Sequence, residues 1–144
     1  MPFLQGLVVD KGQILTRQQK QQQEEIYTDP QTGLQWLRDG NRAGKPMIWR
    51  QAMEWVKSLR VGGYTDWRLP TREELEAFAN QGGERPAGYF NNSGFRDVQA
   101  GHYWSSSIYA SSAYDAWGVY MGYGYVGSYE KGSYYYVWPV RDAK

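Results

Sequence analysis

The chain carries one histidine, His102, with Ser105, Ser106 and Ser107 close behind it. A serine nucleophile needs a base within hydrogen-bond reach and a third group to orient that base. Side chains alternate between faces along an extended segment, so His102 and Ser105 would point apart. His102 is better read as structural or ligand-facing. Gly122-Tyr-Gly124-Tyr-Val-Gly127 has the letters of a dinucleotide loop. That loop must open a helix within a βαβ unit, whereas the residues after Gly127 read as strand, with Tyr134, Tyr135 and Tyr136 in a row. With no cysteine and a single histidine, zinc or copper sites built from those ligands are excluded. Asn91, Asn92, Asp97 and Asp115 are oxygen donors of the kind calcium takes, but these residue types are also the usual turn formers, and that is how we read them. Asp66, Arg68 and Arg141 read as ion-pairing residues that tie the early chain to its last strand. No catalytic, metal or cofactor site is expected, and the chain reads as a non-enzyme.

The remaining chemistry is recognition. Of the 13 tyrosines, ten fall between His102 and Arg141: Tyr103, Tyr109, Tyr114, Tyr120, Tyr123, Tyr125, Tyr129, Tyr134, Tyr135 and Tyr136. Between them lie mostly Ser, Gly and Ala, and from Gly101 to Val140 the only formal charges are Asp115, Glu130 and Lys131. Tyrosine gives a large, rigid, amphipathic contact area at low entropic cost, and Ser and Gly add adaptable hydrogen bonding. Trp117, Val119 and Met121 alternate with Gly118, Tyr120 and Gly122, so a strand here offers one face to a core and the other to a ligand. The expected contact residues are Tyr109, Ser111, Ser112, Tyr114, Asp115, Gly118, Tyr120, Gly122, Tyr123, Tyr125, Gly127, Ser128, Tyr129, Ser133 and Tyr134.

The 144 residues suffice for one domain with a core, and seven Trp with four Phe can fill it. A net charge of +1 argues against nucleic acid or an anionic membrane, which need a clustered basic stripe. No stretch approaches the roughly 20 apolar residues of a membrane span, and the first residues lack the form of a signal peptide. A soluble chain is expected, its compartment and oligomeric state open.

Residues 1–25 read as an extension: a hairpin turning at Asp10-Lys-Gly12, then a Gln-rich solvated helix or linker. The domain proper is 26–144. Asp29-Pro-Gln-Thr-Gly33 is a turn between short strands at Ile26 and Leu34. Ile48, Ala52, Trp55, Val56 and Leu59 recur at helical spacing, closed by Gly62-Gly63. Thr71-Arg-Glu-Glu74 has the form of a capping box and opens a second helix with Leu75, Phe78 and Ala79 buried. Residues 84–101 read as a long loop pinned by Tyr89, Phe90 and Phe95. Strands follow near 103–106, 116–121, 125–129 and 135–141. Helices early and strands late give an α+β domain.

Thr32-Gly-Leu-Gln-Trp36, Gly63-Tyr-Thr-Asp-Trp-Arg-Leu-Pro-Thr-Arg-Glu-Glu-Leu75, Tyr103-Trp-Ser-Ser-Ser107 and Val137-Trp-Pro-Val-Arg141 together resemble the Lcl C-terminal-domain family, over about residues 26–141. The resemblance implies a C-type-lectin-like fold, two helices packed on small antiparallel or mixed sheets with long loops, related to formylglycine-generating enzymes. Those enzymes work through cysteines that this chain lacks, so the fold would carry over without that activity. The family commonly ends Val-Arg-Pro-Val-Arg, whereas here Trp138 precedes Pro139. The Glu-Pro-Asn and Gln-Pro-Asp tripeptides of calcium-dependent sugar-binding lectins are missing.

The Tyr/Ser/Gly/Asp enrichment further resembles the variable proteins of diversity-generating retroelements, in which adenine-directed mutagenesis rewrites the end of the gene. Tyr, Ser, Asp, Gly, His and Asn are all reachable from an Asn codon altered at its adenines. The resemblance implies a variable region at about 103–136 that binds a protein or other macromolecular ligand. Trp104, Trp117, Val119, Lys131, Val137 and Arg141 would be its unaltered frame. A glycan-binding or adhesin module of fixed specificity is the alternative.

Overall fold

A computed structural model describes residues 7–10 and 13–143. Phe3, Leu4 and the expected hairpin-turn residues Lys11 and Gly12 lie outside the described residues. β1 (Leu7–Asp10) and β2 (Gln13–Thr16) form the expected antiparallel pair. The Gln-rich run that follows is a helix, α1 (Arg17–Glu25), because Thr16 caps it. The Thr16 hydroxyl accepts from the Gln19 amide and the Gln19 side chain accepts from the Thr16 amide, a closed capping box. No residue of α1 is buried, and Gln22 ties it to the body by donating to the Gly62 carbonyl at 2.7 Å.

β3 (Ile26–Thr28) and β4 (Leu34–Leu37) pair across the expected turn, and β8 (Val140–Asp142) adds to the other edge of β4. α2 (Trp49–Ser58) buries Ala52 and Val56. Gly62 and Gly63 do not cap α2; at φ 63° and 83° they form the tight turn in which Val61 and Tyr64 exchange both backbone hydrogen bonds. α3 (Arg72–Asn80) begins with the expected box, Thr71 bonding the Glu74 amide while the Glu74 carboxylate accepts from the Thr71 amide, and it buries Leu75, Phe78 and Ala79.

The expected long loop at 84–101 contains a fourth helix, α4 (Pro86–Asn91), so among the described residues there are four helices, three of them in the domain where two were expected. Pro86 presets the first helical φ and donates nothing the helix would miss. Phe90 and Phe95 pin this segment in the core, but Tyr89 stays exposed. β5 (His102–Ile108), β6 (Asp115–Tyr120) and β7 (Tyr125–Glu130) form an antiparallel sheet in that order. The expected strand at 135–141 divides: Tyr135 and Tyr136 make single bridges to Met47 and Tyr103, and only β8 enters a sheet.

The core is aromatic. Trp36 stacks on Phe78 at 4.0 Å and Phe78 on Phe90 at 4.6 Å. Trp138, fully buried, meets Trp36, Phe78, Phe90 and Phe95 edge-on. Burying an indole also buries its N–H, which usually finds an acceptor; the Trp36 N–H is buried with none among the described residues, whereas four other indoles are satisfied. Trp104 donates to the Met47 carbonyl, Trp138 to Leu37, Trp67 to Val61 and Trp49 to Ser105. All but the local Trp67–Val61 bond join segments far apart in sequence, so the tryptophans fix the frame as well as fill it. The result is an α+β domain with a C-type-lectin-like fold.

Candidate ligand-binding face

The register of the β5-β6-β7 sheet decides which side chains share a face, because directly paired residues in an antiparallel sheet project the same way. His102 pairs with Tyr120 and Tyr120 with Tyr125; Trp104 pairs with Gly118 and Gly118 with Gly127; Ala116 pairs with Tyr129. One face therefore carries His102, Trp104, Gly118, Tyr120, Tyr125, Gly127 and Tyr129. The other carries Tyr103, Ser105, Asp115, Trp117, Val119, Val126 and Ser128, and α3 packs there, with the Arg72 guanidinium 3.7 Å from the Trp117 ring centroid.

On the first face the rings of Tyr120, Tyr129 and Tyr135 surround His102, with centroids 4.8, 4.6 and 4.6 Å away. Tyr123 extends the cluster from the β6–β7 turn, 5.5 Å from Tyr120. Burial holds the His102 imidazole below its usual pKa, and burial with the nearby Tyr125 and Tyr135 phenols raises that of Tyr129. The cluster is consequently neutral near pH 7, and the Tyr129 hydroxyl is buried without a hydrogen-bond partner.

The expected contact residues divide into groups. Tyr114, Tyr123, Tyr125 and Tyr134 are exposed, at 80, 69, 66 and 65 %. Ser111 is also exposed, and Tyr109, Ser112, Tyr120, Gly122, Gly127, Tyr129 and Ser133 are half-buried. Tyr109, Ser111, Ser112 and Tyr114 sit on the β5–β6 connection, which Lys131 holds by donating its amide to the Tyr114 carbonyl and its ammonium to that of Ala113. Asp115 and Ser128 lie on the α3 face, away from the tyrosine cluster. Gly118 is a correction: it is buried, with the Tyr103 carbonyl and the Tyr129 ring where a side chain would go. The expectation that Gly118 is a contact missed this because alternation gives the side of a strand and not what already covers it.

His102 and Tyr135 belong to the cluster but were not among the expected contacts. Pairing Trp104 with Gly118 would have placed His102 beside Tyr120, yet that register is invisible without the fold. Ser105 is fully buried on the opposite face, donating to the Trp117 carbonyl at 2.7 Å, so no Ser–His pair forms. Gly122 and Gly124 lie in the β6–β7 turn and Gly127 within β7, with no helix for a phosphate. The Asn91 side chain is occupied by the Val98 backbone, giving and receiving one bond, and Asn92 donates to Gly88. Among the described residues no three His, Asp or Glu gather around a common point.

The last strand is tied to the early chain by the expected Asp66–Arg141 pair, whereas Arg68 turns to Glu74 and Asp142 instead. Arg141 pairs with Asp66 at 2.7 Å, bonds Gln35 and stacks on Tyr64, while Arg68 grips Glu74 through both nitrogens and also Asp142. Among the described residues no helix is long and apolar enough to cross a membrane. Comparison with curated proteins returns no match. The Lcl C-terminal domain model matches residues 25–141, nearly the whole span from β3 to β8, and the chain belongs to that family.

Proposed function

We propose that this domain is a non-enzymatic binding scaffold that presents a retroelement-diversified tyrosine surface to a protein ligand. The observation that carries the reading is the separation of roles within the β5-β6-β7 sheet and the chain segments that adjoin it. Trp104, Val119, Val137 and Trp138 are buried and fix the frame, whereas Tyr114, Tyr123, Tyr125 and Tyr134 stand in solvent on the same stretch of chain. Exposed rings of this kind contribute little to folding and much to contact area, so their identity is free to change. Glycine and serine between them keep the backbone open to partners of different shape.

The test is the DNA flanking the gene. A near-copy of the codons for about 103–136, differing at adenines and lying beside a reverse-transcriptase gene, is the expected finding. A gene with no such copy, whose product binds the same simple sugar across natural variants, would instead establish a glycan-binding module of fixed specificity.

A further inference from the structure

The two edges of the β5-β6-β7 sheet are treated differently. On the β5 side Tyr136 donates to the His102 carbonyl and its own carbonyl accepts from Trp104, so that edge is closed. On the β7 side nothing among the described residues pairs outward. Lys131 donates across to Tyr114 and the β6–β7 register runs unbroken from Asp115↔Glu130 to Tyr120↔Tyr125. Alternation of an antiparallel ladder then turns the backbone of Tyr125, Gly127 and Tyr129 toward β6 and that of Val126, Ser128 and Glu130 outward. Among the described residues the N–H and C=O groups of Val126 and Ser128 and the N–H of Glu130 have no partner; Ser133 occupies the Glu130 carbonyl.

Exposed edges are normally blunted by lysine, proline, a bulge or extreme shortness. β7 reads Tyr-Val-Gly-Ser-Tyr-Glu, with none of the first three and six residues of length. Its one charged residue, Glu130, lies directly opposite Asp115 on the α3 face. Like charges placed so oppose each other, and neither carboxylate has a hydrogen bond or ion pair among the described residues. The cation placed on that face, Arg72, is engaged over Trp117.

We infer that the β7 edge binds an extended segment of the protein ligand as an added strand, with a basic side chain of that segment seated between Asp115 and Glu130. The inference rests on the proposed protein-binding role and names the ligand's conformation and charge. Backbone bonds to Val126 and Ser128 supply register. The carboxylate pair selects the polarity, and Tyr125 and Tyr129, flanking Gly127 on the aromatic face, pack on the segment's other side.

The probe is a random linear 12-residue peptide library displayed on phage and selected on the intact chain. Enriched peptides are expected to share an alternating pattern with a Lys or Arg at one position. Binding should slow hydrogen exchange at the Val126 and Ser128 amides. Glu130→Lys, at an exposed position, should weaken these peptides about tenfold and enrich acidic ones in a repeat selection. Ser128→Pro removes only an outward N–H and should also cost about tenfold.

Unprotected amides in peptides that nonetheless bind through the tyrosines would overturn the edge inference and leave the display reading standing. Failure to enrich any peptide would overturn it too, as would a self-associating chain whose own second copy protects Val126 and Ser128. Protected edge amides in a chain whose gene lacks the adenine-altered copy would leave the edge and remove the retroelement.

Discussion

Gly118 and Gly127 are paired neighbours on one face, and an added methyl should affect them very differently. A Cβ on Gly118 would lie 2.8 Å from the Tyr103 carbonyl oxygen and 3.3 and 3.5 Å from the Tyr129 ring. The closest of these is backbone in the adjacent strand, held by the β5–β6 ladder, so relief requires the strands to part by about half an ångström to regain ordinary contact distance. Overpacking of this kind costs about 1–3 kcal/mol, and the gain from replacing a strand glycine by alanine returns about 0.5–1 kcal/mol of it. Gly118→Ala is therefore expected to destabilise by about 1–2 kcal/mol, a fall in Tm of roughly 3–8 °C at this chain length. At Gly127 the nearest atoms are the Tyr129 hydroxyl at 2.8 Å and the Tyr125 ring at 3.2 Å. These are the far ends of side chains: Tyr125 is largely exposed and able to swing away, whereas Tyr129, whose ring carbon is 3.0 Å off, packs on His102 and Tyr135 and must shift by a few tenths of an ångström. Gly127→Ala should cost about 0–1 kcal/mol, less than Gly118→Ala, because a ring end yields more readily than the backbone of a paired strand. Thermal unfolding followed by near-ultraviolet circular dichroism measures both. Equal Tm values for the two variants, or a Gly118→Ala protein as stable as the parent, would refute the division between frame and display positions.

Replacing Tyr114, Tyr123, Tyr125 and Tyr134 together by Ser should leave Tm within a few degrees, since exposed substitutions stay near ±0.5 kcal/mol each; cooperative loss of the fold would show that these rings carry stability. Thr71→Ala should cost about 1 kcal/mol by opening the capping box of α3, read as a lower urea midpoint at unchanged slope. His102 has a lowered folded pKa because of burial. Protons therefore bind the unfolded chain first, and stability should fall as pH drops below about 6.5. As the sole histidine, it can be tested by His102→Gln, which should flatten that limb of the pH–stability curve. Asp66, held below its usual pKa by the Arg141 hydrogen bond, contributes stability that is complete above the ordinary carboxylate range and lost at lower pH. Asp66→Asn should remove that smaller acid-range loss, modest because the carboxylate is exposed.

Features carried by neighbours in the chain were legible without coordinates. The Thr71–Glu74 box, the buried face of α3 and the turn at Asp29–Gly33 depend on contacts over a few residues, and local geometry constrains them directly. The crowding of tyrosine, serine and glycine into the last third is likewise a matter of composition alone. α4 escaped notice because Pro and Gly at its start look like loop residues, although proline at a first helical position is favourable. The division of the expected last strand, with Tyr136 closing the β5 edge and Val140 joining β4, follows from pairings across the whole domain that no local pattern encodes. What the sequence by itself determined is the inventory: tryptophans and phenylalanines enough for a core, and a late stretch of tyrosine, serine and glycine almost without charge. Only the tertiary structure decided that Gly118 belongs to the frame, that His102 sits among the tyrosines, and that β7 is, among the described residues, the outer strand of its sheet. Each of these depends on strand register, and register is set by long-range packing of one sheet against the core.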